Sequence, residues 1–183
     1  SIDEVRAIRR LDLRGNPSLE IARDIVLFSF YMRGMSFVDM AYLSKKNLQG
    51  PRIVYCRKKT GQQLSIEVSP EAKDIIDKYS SGSQYLLPII KTENGDVRKQ
   101  CKNAITMVNR NLKKIGTMVS LAAPLTTYVM RHSWATIARN KGVEISVISE
   151  GLGHDNEATT QIYLDSICTS KVDEANRSIL DDL

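Results

Sequence analysis

Three short helices, predicted in the last third of the chain, constrain the fold more than any other feature of the sequence. Within residues 126–165, apolar residues at helical spacing predict a helix over 127–141, which a glycine then ends. A second short helix is predicted over 144–152 and ends at two glycines. His154 follows this turn directly, and Tyr163 lies on the third helix. Because one short stretch brings polar side chains from three helices together, we interpret it as a site.

One side of the first of these helices carries three polar side chains. Tyr128, Arg131 and His132 share a face because they are three and four residues apart. Arg131 lies in mid-helix among apolar neighbours, where an unpaired charge would be costly. It is therefore expected either to pair with an acid such as Asp39 or Glu150, or to meet a phosphate. His132 is expected to be a structural, hydrogen-bonded histidine.

The rest of the chain predicts helices around one β-hairpin. Alternating apolar residues predict strands over 52–58 and 63–68, joined by a turn at 59–62. A long helix with a continuous apolar face is predicted over 96–118. The predicted fold class is therefore mainly α with a small antiparallel β-sheet (α+β). Further helices are predicted over 1–13, from an N-cap at Ser18 to about Met32, after an N-cap at Ser36, after Pro70, and weakly over 170–180, while 85–90 is either a short strand or an extended segment.

Composition limits the classes of function. The 183 residues suit one domain with a substantial core. A net charge of +5 and a pI near 9.1 mildly favour a polyanionic partner. No apolar run reaches membrane-spanning length and no signal peptide is apparent, so a cytoplasmic protein without a membrane partner is expected. The three separated cysteines are expected to be free thiols, and two histidines without a cysteine pair argue against a metal site.

Three motifs in the last third carry a family resemblance. The sequence RHS at 131–133, LGH at 152–154 and TTQIY at 159–163, in this order, resembles the catalytic domain of the tyrosine recombinase (phage integrase) family. The resemblance extends from about residue 3 to 166. It implies that residues 1–183 form a single catalytic domain, the C-terminal part of a larger integrase whose N-terminal DNA-binding domains are absent. It also implies double-stranded DNA as the partner, a homo-oligomer (tetramer) on DNA, and no cofactor, metal or small-molecule substrate.

The resemblance assigns roles to residues. Tyr163 is the candidate nucleophile that forms a 3′-phosphotyrosyl link and releases a 5′-hydroxyl. A tyrosine has a pKa near 10, so it needs cationic surroundings to lose its proton at neutral pH. Arg131 and His154 would provide them while holding the phosphate. Lys59, in the hairpin turn, resembles the general acid that protonates the leaving oxygen, and Lys58 replaces it if the register differs by one residue.

Two positions depart from the family pattern. Tyr128 occupies a position that usually holds a histidine, and a tyrosine can donate a hydrogen bond to a phosphate but is a poor base near pH 7. Ser36 occupies the position of the first arginine, three residues before Asp39. We expect Arg33, one turn earlier, to be the substitute, with Ser36 as a weaker hydroxyl contact.

Other classes of protein are compatible with parts of this pattern. A non-catalytic DNA-binding descendant of the family would keep the fold, and the departures at Tyr128 and Ser36 are its best support. A type IB topoisomerase would use the same residues, although the short spacing from the LGH motif to Tyr163 favours a recombinase. A purely structural helical protein would have no reason to assemble Arg131, His154 and Tyr163. The sequence therefore favours a site-specific DNA recombinase with metal-independent strand cleavage and rejoining.

Overall fold

The computed structural model describes residues 1–80, 82–92, 94–154, 156–162, 164 and 180. Within these ranges helices dominate and a single small sheet is present, which confirms the predicted fold class. A further helical segment covers 157–162. In the described part of the chain, seven α-helices precede that segment, namely α1 Ile2–Arg10, α2 Pro17–Tyr31, α3 Phe37–Ala41, α4 Pro70–Tyr79, α5 Val97–Met118, α6 Thr127–Asn140 and α7 Ile145–Leu152.

The sheet has three antiparallel strands in the order β1-β2-β3. β1 is Leu48–Gln49, β2 is Arg52–Cys56 and β3 is Gln63–Glu67. The β2–β3 hairpin agrees with the prediction, whereas β1 is an addition, because a two-residue strand is too short to show alternation. The segment at 85–90 contributes only an isolated bridge between Tyr85 and Ser44.

The main core forms around α2, which packs against α4, α5 and α6. Phe28 and Ile25 on α2 are buried against a set that includes Leu112 of α5 and Met130 of α6. The start of α2 differs from the prediction. Asn16 rather than Ser18 caps the helix, because the Asn16 side chain accepts a hydrogen bond from the backbone of Leu19 while proline occupies the first turn.

A second, smaller apolar cluster holds the last third of the chain together. Ala135 of α6, Ile148 and Leu152 of α7, and Leu164 are all buried in it, and Trp134 packs against them. The cluster fixes α6 and α7 relative to each other and places Leu164 against them. The turn after α7 therefore has a defined position beside α6.

Some sequence predictions fall on residues outside the described ranges. These include Tyr163 and, except for residue 180, the weak helix at 170–180. Over the described residues, no helix is both long and apolar enough to cross a membrane. The same part of the chain holds no group of three or more His, Cys, Asp or Glu side chains placed to bind a metal ion.

Candidate active site

A cleft of about 300 Å³ lies where the β2–β3 hairpin faces α6 and the turn after α7. Four of the six residues predicted from the sequence line this cleft, namely Lys59, Tyr128, Arg131 and His154. Of the other two, Arg33 does not appear in the lining, and Tyr163 lies outside the described residues. The remaining lining residues are Arg57, Thr60, Asn156 and Thr159.

Arg131 is a buried arginine held by backbone carbonyls. Its Nη1 donates a 2.7 Å hydrogen bond to the carbonyl of Gly34, and its Nη2 donates one of 2.7 Å to the carbonyl of Leu152. The Nη2 atom also lies 3.2 Å from Nε2 of His154. These contacts fix the plane of the guanidinium at the cleft wall, so binding an anion there requires little reorganisation.

Two arginine side chains bind backbone carbonyls at the C-terminus of α7. The carbonyl of Leu152 accepts from Arg131, and that of the next residue, Gly153, accepts from Nη1 of Arg57. The C-terminal end of a helix carries partial negative charge, which stabilises cations placed there. Two guanidiniums are thus brought to one cleft by consecutive carbonyls of one turn.

Gly153 is required at this turn for two reasons. Its φ of 64° is left-handed, as expected of a residue that ends a helix. A Cβ at this position would also lie 2.6 Å from Cδ of Arg57 and 2.8 Å from Cδ1 of Leu64. The glycine therefore lets the hairpin, which carries Arg57, approach the turn that precedes His154.

Arg57 is a residue of this cleft that the sequence prediction omitted. It is only 6 % exposed, and its Nε lies 3.7 Å from a carboxylate oxygen of Asp39. Among the described residues, that buried Nε has no hydrogen-bond partner. A signal was present in the sequence, since Ile53, Tyr55 and Arg57 alternate along β2 and its extension, and all three are buried. A charged residue on the buried face of a strand is rarely tolerated unless an opposite charge or a hydrogen-bonding group pairs with it, so an arginine at this position indicates such a partner.

Asp39, a candidate partner of Arg131 in the sequence, faces Arg57. Its carboxylate accepts hydrogen bonds from the hydroxyl of Ser36 at 2.6 Å and from the backbone N–H of Lys58 at 2.8 Å. The Ser36 hydroxyl also caps α3. Ser36 therefore orients the acid that faces Arg57, and it is not among the residues that line the cleft.

Arg33 has a different environment. It lies in the left-handed region with a φ of 58°, directly after α2. Its side chain lies beside Gly151, because a Cβ added to that glycine would be 3.8 Å from Cδ of Arg33. The following residue, Gly34, supplies the carbonyl that binds Arg131. The turn that contains Arg33 thus helps to build the site, although Arg33 itself is not among the residues that line the cleft.

The two hairpin lysines point in different directions. Lys59 is exposed and lines the cleft. The ammonium of Lys58 lies 4.4 Å from the ring centroid of Tyr42, which is outside this cleft. Of these two lysines, Lys59 is therefore the one whose side chain lines the cleft.

Tyr128 and His132 form an aromatic pair on α6. Their ring centroids are 4.3 Å apart in an edge-to-face arrangement, and Tyr128 is 60 % exposed at the edge of the cleft. Burial, assisted by the neighbouring charge of Arg131, lowers the pKa of His132. A lowered pKa favours the neutral ring, which suits the structural role expected for His132.

Comparison with known proteins identifies the fold and the family. Residues 11–168 match the phage integrase family. The tyrosine recombinase XerC of Rickettsia canadensis (strain McKiel) is 27% identical over 166 residues, which cover 88% of this chain and 53% of that protein. The XerC of Rickettsia typhi (strain ATCC VR-144 / Wilmington) is 27% identical over 169 residues, covering 89% and 54%. The chain thus spans about half the length of these relatives.

Solved structures share the fold at low sequence identity. The XerH recombinase bound to a palindromic difH substrate, a post-cleavage complex, has a TM-score of 0.67 at 15% identity, covering 96% of this chain and 50% of that one. A lambda integrase tetramer bound to a Holliday junction has a TM-score of 0.64 at 15% identity, covering 89% and 46%. The catalytic domain of bacteriophage HP1 integrase has a TM-score of 0.56 at 20% identity, covering 90% and 84%. With its match over residues 11–168, this chain belongs to the phage integrase family.

Proposed function

We propose that this chain is the catalytic domain of a site-specific DNA recombinase that cuts and rejoins DNA strands without a metal, and that it works in the cytoplasm. The observation that carries the proposal is the convergence of Arg57, Lys59, Arg131 and His154 on one cleft of about 300 Å³. Phosphoryl transfer depends mainly on positioning and on stabilising charge at the phosphoryl oxygens. A cleft with two guanidiniums, an amine and an imidazole meets both needs.

The proposed reaction is a transesterification. The phenol of Tyr163 releases its proton to solvent as its oxygen attacks the phosphorus, the bond from phosphorus to the 5′ oxygen breaks, and a 3′-phosphotyrosyl link forms. Arg131 and Arg57 bind the non-bridging oxygens, with His154 as a further contact. Lys59 gives a proton to the departing 5′ oxygen, and Tyr128 donates a hydrogen bond to the phosphate from the edge of the cleft. Rejoining reverses these steps with the 5′-hydroxyl of a second strand.

We propose Arg57, rather than Arg33, as the second guanidinium. Arg57 lines the cleft, is bound to the same turn as Arg131, and has a buried Nε without a hydrogen-bond partner among the described residues. If Arg57 fills the role of the family's first arginine, the site has both of its arginines even though position 36 is a serine. The serine is then no longer an argument for a non-catalytic descendant of the family. The relaxation activity of a topoisomerase has no specific observation in its favour.

Double-stranded DNA is the proposed partner, with four copies of the chain assembled on it. The support comes from proteins of the same fold, since XerH has been solved on its difH substrate and lambda integrase as a tetramer on a Holliday junction. The net charge of +5 is consistent with a polyanionic partner.

A covalent trap tests the proposed nucleophile and does not require a known DNA site. The 183-residue chain is incubated with a pool of nicked duplexes of randomised sequence that carry a 5′-bridging sulfur at the scissile phosphate. A protein–DNA adduct that resists denaturation is expected, with peptide mass spectrometry placing the nucleotide on Tyr163. Tyr163→Phe should give no adduct, and Tyr85→Phe serves as the matched control. An adduct that survives in Tyr163→Phe would contradict the assignment.

The same trap separates the two hairpin lysines. A departing thiolate needs no proton, because a thiol has a pKa near 8.5, far below that of an alcohol. Lys59→Ala is therefore expected to slow adduct formation by about a hundredfold on an oxygen substrate, and to leave it nearly unchanged on the bridging-sulfur substrate. Lys58→Ala is the matched control and should behave like the parent chain on both. Equal losses on both substrates would show that Lys59 is not the acid.

A further inference from the structure

A buried threonine lies behind His154. Thr160 belongs to the helical segment 157–162 and its side chain is 0 % exposed. Its Oγ1 lies 2.7 Å from Nδ1 of His154. The neighbouring Thr159 is exposed and lines the cleft, so the two adjacent threonines have different environments. A buried hydroxyl at this distance from a ring nitrogen is a specific hydrogen bond.

The contacts of the two ring nitrogens with Arg131 and Thr160 favour one neutral form of His154. Nη2 of Arg131, 3.2 Å from Nε2, is a donor and cannot accept a hydrogen bond. The Nε2 atom is therefore the acceptor in this contact. A neutral imidazole then carries its hydrogen on Nδ1, which donates to Oγ1 of Thr160.

We propose that Thr160 is the positioning residue for His154, holding the imidazole so that Nε2 faces the bound phosphate. This inference rests on the proposed function, because the phosphate is the group that Nε2 would meet. A hydroxyl suits the task since it both accepts and donates hydrogen bonds. Thr160 can pair with Nδ1 whether Nε2 is the acceptor seen here or carries a hydrogen toward a phosphate oxygen, and the carbonyl contacts of Arg131 stay in place in both cases.

The same contact connects two parts of the site. Thr160 precedes Tyr163 by three residues in the sequence, and His154 lies beside Arg131. A shift of the segment 157–162 would therefore remove the support of the His154 ring. The hydroxyl of Thr160 thus links the position of the segment that leads to the nucleophile with the geometry of the phosphate-binding pair.

Nitrogen NMR of the imidazole rings tests this inference without DNA. The chain has two histidines, so His132→Gln assigns their signals in the 183-residue protein. His154 is expected to show the form with hydrogen on Nδ1, and Thr160→Ser should preserve it. Thr160→Val and Thr160→Ala remove the hydrogen bond at Nδ1, so the Nδ1 hydrogen should exchange faster with solvent and the nitrogen shifts of the ring should move, while Thr106→Val, which removes an exposed helix hydroxyl, should change nothing. A His154 spectrum unchanged in both Thr160→Val and Thr160→Ala would overturn the inference.

The rate of adduct formation gives a second readout. Thr160→Val is expected to slow adduct formation by about tenfold, because the hydrogen bond to the His154 ring is lost. Thr160→Ser keeps a hydroxyl at this position and should form the adduct at nearly the parent rate. In a His154→Ala background, Thr160→Val should have no further effect. Additive losses would show a merely structural role. Absence of any adduct from the parent chain would refute the proposed function but leave the NMR result as an independent test.

Discussion

Replacing Arg131 with alanine is expected to slow formation of the protein–DNA adduct by roughly a thousandfold or more. The guanidinium is fixed by the carbonyls of Gly34 and Leu152, so it offers a preorganised positive charge to the phosphoryl oxygens. Its loss removes a contact that strengthens as charge develops in the transition state. The measurement is the single-turnover rate of adduct formation on a nicked duplex recovered from the randomised pool.

The effect of Arg131→Ala on the stability of the fold must be measured separately from its effect on the rate of adduct formation. Arg131→Ala leaves two buried carbonyls without a donor that they have in the parent chain, so its thermal unfolding temperature should also fall. Arg131→Lys keeps the charge but cannot reproduce the fork of two donors, and an intermediate loss of rate is expected. Lys114→Ala removes one charge from an exposed position on α5 and should match the parent. A rate within about tenfold of the parent for Arg131→Ala, in folded protein, would refute this role.

Replacing Arg57 with alanine is expected to reduce the same rate by roughly a thousandfold, and to destabilise the fold as well. The loss of stability follows because Asp39, which is 4 % exposed, would keep its charge without the facing guanidinium. Removing one partner of a buried ion pair costs about 3 kcal/mol or more. Urea unfolding measures the free energy of unfolding, and the covalent trap measures the rate.

A second substitution separates the two effects of Arg57. Asp39→Asn in the Arg57→Ala background removes the uncompensated charge, so most of the lost stability should return while the cleavage rate stays low. Arg33→Ala is the matched comparison, since Arg33 follows α2 and does not line the cleft, and its rate should stay within about tenfold of the parent. If Arg33→Ala instead showed the thousandfold loss and Arg57→Ala did not, Arg33 rather than Arg57 would be the guanidinium that acts together with Arg131.

Periodic patterns in the sequence predicted most of the fold. The apolar faces of α2, α5 and α6 repeat at helical spacing over many residues, and the strands of the hairpin alternate. Such patterns persist because one face of each element is buried. The cap of α2 and the two-residue strand β1 were not predicted correctly, because they depend on single side chains and on pairing between distant residues.

The candidate site was predicted only in part. The motifs indicated Arg131 and His154, and the hairpin indicated Lys59, all three of which line the cleft. Arg57 stands in a run of basic residues that is typical of a solvated surface, and its burial depends on the approach of Gly153 from the other end of the chain. Thr160 belongs to the TTQIY motif, but a threonine beside a second threonine shows neither its burial nor its partner.

The sequence by itself determined the helical periodicity, the hairpin and the order of the motifs, because each of these is written in neighbouring residues. Only the tertiary structure decided which guanidiniums share a cleft. Arg57 and Arg131 lie far apart in the chain, and they meet because consecutive carbonyls at the end of α7 bind one of them each. Contacts of this kind depend on how α6, α7 and the hairpin pack together, and no local pattern of residues records that packing.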